Sequence, residues 1–196
     1  MDDDQKDIIA KMGVGLVTET AGRTWARLPN ALKRHQLDLV FRGPVEPYLM
    51  TGHMWLQGTN VPVDGRWFRV GVLNKSSAAI TGVSVQLVTV DPPGVVHTVP
   101  LRLHLMHDNP PPGQPNVETF TVEPGDEPNQ FVDVVSMYDG QPGIQIEHII
   151  PAVLKVYSPG QYTFTLRVSA PFRRSRIRAF SVGAEDGGGL TFSQLG

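Results

Sequence analysis

The sequence predicts an all-β fold: an antiparallel β-sandwich preceded by a partly helical N-terminal extension. Three observations carry this. From Val45 onward apolar and polar residues alternate at a period of two. Turn-forming clusters recur at roughly ten-residue intervals. Glycine and proline make up 37 of the 196 residues, which favours short strands and many turns over long helices. One polar face per strand argues against a parallel sheet, whose strands would be apolar throughout.

Residues 1–44 are expected to form the extension and residues 45–196 the sandwich. Asp4 can cap a short helix through Ile8, Ile9 and Met12, ended by Gly13 and Gly15. A second helix is predicted from about Pro29 to Leu39, because Leu28, Leu32, His35 and Leu39 recur at helical spacing and Pro29 suits a first turn. Such a segment either docks on the domain or serves as an assembly arm.

The strands follow in order. Trp67, Arg69 and Gly71 alternate against Phe68, Val70 and Val72, and Asn74-Lys75-Ser76-Ser77 then makes a turn. Val83, Val85 and Leu87 share one face of the next strand. Leu101, Leu103 and Leu105 alternate with Arg102, His104 and Met106. Further strands are predicted at Phe120–Val122, Phe131–Val135 and Ile144–Ile150. The last three are Tyr162–Val168, Ile177–Val182 and Leu190–Phe192.

Three segments carry a resemblance. The first is Phe68 to Ser77 followed by Ile80 to Leu87, a strand ending in Asn and small residues and then an alternating valine run. The second is Glu123-Pro124-Gly125-Asp126 leading into Phe131–Val134. The third is Ser158-Pro159-Gly160-Gln161-Tyr162 leading into Thr163–Val168. Over residues 60–183 the chain resembles bacterial and phage-associated immunoglobulin-like (fibronectin-III-like) domains. The resemblance implies an immunoglobulin-like sandwich with Tyr162 at the tyrosine-corner position. It differs from antibody-type domains in having no cysteine pair. It implies a fold and no particular activity.

Composition narrows the function classes. With no cysteine there is no disulfide, thiolate metal site or cysteine nucleophile. The acidic start, Met1 to Asp7, is unlike a secretory signal, and no apolar run is long enough to span a bilayer. A cytoplasmic or virion-associated protein is therefore expected. A net charge of −2 argues against a general nucleic-acid binder.

Chemical motifs are sparse. The chain has no nucleophile elbow, P-loop or His-Glu-x-x-His, and Gly13-Val14-Gly15 is only a fragment of a dinucleotide fingerprint. His104, His107 and Asp108 are the best metal candidates, but residues three apart on a strand face opposite ways and further ligands are not evident. Asp139-Gly140 and Glu185-Asp186-Gly187 lack the dense oxygen spacing of a calcium loop. Ser136 and His148 with Asp133 or Asp139 make a triad on paper only, since triads are recognised by geometry. Trp25, Trp55 and Trp67 would have to supply any sugar platform. Neither a catalytic residue nor a cofactor is expected, and no small-molecule substrate. Pro110, Pro111 and Pro112 form a stiff loop, either a recognition tip or a spacer.

Charge is unevenly placed. Leu103–Leu154 contains eight acids and no Lys or Arg. Arg173, Arg174, Arg176 and Arg178 lie within six residues, with no acid between Pro171 and Val182. Opposed patches favour oriented association, whereas charge on an edge strand also guards against aggregation. The expected function is a non-enzymatic protein-binding or assembly module, its partner another protein or a second copy, with these arginines at the contact. The rival expectations are a phage virion or surface decoration protein and a carbohydrate-binding or enzyme accessory module.

Overall fold

A computed structural model describes residues 36–55, 62–93, 99–105, 117–140, 143–146, 156–185 and 189–196. These residues form antiparallel strands and contain no helix. The first sheet contains β1 (Leu37–Val40), β2 (Leu49–Trp55), β3 (Pro62–Asn74), β6 (His104–Leu105), β8 (Gln130–Tyr138), β9 (Ile144–Ile146) and β10 (Val156–Tyr157). The second contains β4 (Ile80–Asp91), β5 (Leu101–Arg102), β7 (Phe120–Val122), β11 (Gly160–Ser169), β12 (Arg176–Ala184) and β13 (Leu190–Gln194).

Long β3 organises the first sheet. β1 and β2 lie end to end along one edge of it, pairing Leu37 with Asn74 and Leu49 with Phe68. Its other edge pairs with β8, whose far edge takes β6 and β9. The second sheet runs β13-β12-β11-β4-β5, with β7 pairing the start of β4.

The two sheets share one apolar core. The period-two pattern places Val70 and Val72 of β3, Val83 and Val85 of β4, and Phe164, Leu166 and Val168 of β11 inside. Phe192 stacks on Phe180 of its own sheet at 5.2 Å and on Phe68 of the other at 5.3 Å. Phe41 meets Phe192 edge-on at 4.9 Å. Burying each such ring is worth about 1.5–3 kcal/mol, so this cluster is a main bond between layers. Leu101–Leu105 adds another: β5 pairs with β4 and β6 with β8, so the segment changes sheets at buried Leu103. The β3–β8 pair also carries an ion pair between Arg69 Nε and Asp133 Oδ1, both residues 9 % exposed.

One expectation is corrected. The predicted second helix would have reached Leu39, yet Leu37–Val40 is strand β1. Leu37 and Leu39 are 1 % exposed, so the local alternation wins over the i, i+4 spacing. The rest of that helix and the one after Asp4 lie outside the described residues.

Candidate interaction surface

Asn74 ends β3, and its side chain is spent entirely on the loops around it. Nδ2 donates to the carbonyls of Ala78 at 2.8 Å and Val122 at 2.9 Å. Oδ1 accepts from the Ser76 amide at 2.9 Å and the Ser76 hydroxyl at 2.7 Å, an Asx turn. The Asn74 carbonyl accepts from Gly125 N–H at 3.1 Å. One residue, 1 % exposed, thereby joins the β3–β4 turn to the acidic turn that leads into β8. Between Leu73–Ser76 and Pro124–Asp126 lies an open hollow of about 530 Å³.

The β11–β12 hairpin turns at the same end. Gly82, near the start of β4, has φ +69°, and a Cβ there would lie 3.0 Å from the Pro171 ring. Arg173 N–H closes the turn on the Ala170 carbonyl at 3.3 Å. At the tip, Phe172 is 88 % exposed and has φ 57°. Among the described residues it is the one non-glycine with positive φ. That conformation is an outlier for a bulky side chain and costs roughly 1–2 kcal/mol. Arg173 and Arg174 beside it are exposed, and no ion pair joins either to another described residue.

The base of the hairpin is clamped. Arg178 donates from Nε and Nη2 to the two carboxylate oxygens of Asp38, both at 2.9 Å. Lys75 Nζ reaches Asp38 Oδ2 at 2.9 Å, and Arg176 Nε lies 3.6 Å from Oδ1. Burial alone would raise the Asp38 pKa. The hydrogen bonds and charges of Arg178 and Lys75 outweigh it and lower the pKa from 3.8 to about 2. Asp38 sits on β1 of the first sheet and Arg178 on β12 of the second, so the clamp crosses the layers.

The predicted arginine contact is thus divided. Arg176 and Arg178 share the pleat parity of buried Phe180 and Val182 and turn toward Asp38. Arg173 and Arg174 precede the strand and stand at the tip. The acidic stretch divides too. Glu118 pairs with Arg102, Glu127 with Arg42 and Asp133 with Arg69. Glu123, Asp126 and Asp139 are exposed. Asp108 and Glu147 lie outside the described residues.

The other predicted candidates are not brought together. His104 pairs with Asp133 through the backbone. His107, Asp108, Pro110, Pro111, Pro112, His148 and Trp25 lie outside the described residues. No group of three metal-ligating side chains occurs among the described residues. Ser136 is fully buried, and Asp133 is held by Arg69. Trp67 is partly buried and donates from Nε1 to Tyr138 Oη at 3.0 Å. No helix among the described residues is long and apolar enough to cross a membrane.

At the opposite end of β3, His53 Nδ1 pairs with Asp64 beside a hollow of about 370 Å³ that Arg66 and Asp139 also line. Sequence reasoning missed this pair, and it missed Asp38. It also missed Phe172, for which the available signal is an aromatic residue directly before the arginine run.

No protein-family model, curated protein or solved structure matches the chain.

Proposed function

We propose that the chain is a non-enzymatic protein-binding module on an immunoglobulin-like sandwich, and that it binds through the end built from the β3–β4, β7–β8 and β11–β12 turns. The strand order supports the scaffold. β1-β3-β8-β6 and β5-β4-β11-β12 follow the A-B-E-D and C′-C-F-G orders of that fold. Near the start of β11, Tyr162 Oη donates to the Ser158 carbonyl at 2.8 Å, as a tyrosine corner does. Two residues on, where a cysteine would stand in antibody-type domains, fully buried Phe164 fills the core. β2, β7, β9, β10 and β13 are additions to that plan.

The observation that carries the binding role is Phe172. A ring held in water in a strained conformation, with two exposed arginines directly after it, gains little for the fold. Aromatic residues and arginine dominate the energetic centres of protein interfaces. The Asp38 clamp and the Asn74 bonds hold the loops rigid, which reduces the ordering cost of binding.

The test is affinity capture from extract of the source cells with wild type, Phe172→Gly and His53→Ala, followed by reconstitution with the purified partner. A partner lost about tenfold or more in Phe172→Gly and retained in His53→Ala is the expected result. Equal retention in both variants would overturn the reading.

A further inference from the structure

We infer that the partner of the hairpin tip is a second copy of this chain, joined end to end about a two-fold axis. This inference rests on the binding-module reading and names its partner.

The tip and the hollow are complementary and belong to the same molecule. The tip offers one exposed ring, Phe172, followed by Arg173 and Arg174. The hollow is lined by exposed Pro124 and buried Leu73, by Lys75 and by Asp126, with exposed Glu123 in the same turn. The hollow is open to solvent and encloses about 530 Å³, more than the volume of a phenyl ring. No cation pairs with the Glu123 or Asp126 side chain among the described residues, and Arg173 and Arg174 likewise have no acid. The cation that lines the hollow, Lys75, is already held by Asp38, so the charges left without a partner are acidic at the hollow and basic at the tip.

Within one copy the two surfaces sit side by side at one end. The clamp shows this directly: Lys75, which lines the hollow, and Arg178, at the hairpin base, grip the same carboxylate. A two-fold axis between facing ends therefore places each tip over the other copy's hollow. The contact is isologous and closes at the dimer. Three turns bury less than roughly 1,200 Å², so the association is weak and reversible. Its ion pairs are exposed and weaken with salt.

The experiment is sedimentation of the full chain over a concentration series at roughly 0.15 M and 1 M salt. Wild type is compared with Phe172→Ala, with Arg173→Glu/Arg174→Glu and with Glu123→Lys/Asp126→Lys. All these positions are exposed, and thermal unfolding checks that each variant folds. Wild type is expected to pass from monomer to dimer and no further, with dissociation promoted by salt. Each variant alone is expected to dimerise at least about tenfold more weakly. An equal mixture of the two charge-reversed chains is expected to recover the dimer, because both contacts in the mixed pair are then complementary.

A wild type that stays monomeric overturns the inference, as does a dimer that none of the variants weakens. A monomer that binds anionic lipid vesicles or an oligonucleotide through Arg173 and Arg174 also overturns it, in favour of that occupant. If wild type is monomeric while capture of a different protein still depends on Phe172, the self-pairing fails and the binding-module reading stands.

Discussion

Arg178 holds Asp38 with two hydrogen bonds of 2.9 Å each, across 140 residues of chain and from one sheet to the other. Removing the carboxylate leaves three cations, Arg176, Arg178 and Lys75, facing one another. Asp38→Ala is expected to destabilise the fold by about 2 kcal/mol, through lost charged hydrogen bonds and uncompensated charge. For a chain of this size that is a fall of roughly 4–8 °C in Tm, readable by calorimetry.

The same pair sets an acid limb. The Asp38 pKa is about 2 in the folded chain, against 3.8 for the free side chain. A carboxyl with a depressed folded pKa stabilises the fold above its unfolded value, and this stabilisation is lost as pH falls through the folded one. Wild type is therefore expected to lose about 2 kcal/mol between roughly pH 4 and pH 2 from this group alone. Asp38→Asn should start less stable at neutral pH and show a shallower loss over that window, measured by thermal unfolding against pH.

Phe172→Gly is expected to fold as well as wild type or better. Glycine accepts φ 57° without strain, and the ring lost is 88 % exposed. A gain of up to about 1 kcal/mol, together with lost binding, would mark Phe172 as kept for contact at the expense of stability. A large fall in Tm would instead make the ring part of the fold.

Asn74→Ala removes both donors and both acceptor contacts of a residue that is 1 % exposed. The Ala78 and Val122 carbonyls lose their side-chain donor, at a cost of about 2–4 kcal/mol. The β3–β4 turn and the Pro124–Asp126 turn are expected to exchange amide protons faster, while β11 and β12 stay protected.

Tyr162→Phe keeps the ring and removes the hydroxyl bond to Ser158. A loss of about 1 kcal/mol is expected, measured by denaturant midpoint at unchanged m-value.

The strands with clean alternation were legible from the chain: β3, β4, β11 and β12 lie where the valine and aromatic periods placed them. β1 was not, because four residues are too few to separate a period of two from one of 3.6. β2 was not singled out, since Gly52 and His53 interrupt its apolar pattern. The arginine cluster was legible as charge but not as geometry. A run of four arginines reads as one patch, whereas the pleat turns Arg176 and Arg178 inward and leaves Arg173 and Arg174 on the turn. Their acceptor, Asp38, is 140 residues from Arg178, and no local pattern connects such residues. The turn before β11 was legible because Ser158-Pro159-Gly160 stands directly before Tyr162 and its alternating strand.

The central claim is that the end carrying Phe172 is where this protein meets its partner. The most direct measurement replaces the ring in place with a photoreactive one, Phe172→p-benzoylphenylalanine, and irradiates the full chain in extract of the source cells. The same replacement at His53, at the opposite end, is the control. The expected result is a single covalent adduct from position 172, a second copy of this chain or one defined protein, and none from position 53. Adducts of equal yield from both positions, or none from position 172, would contradict it.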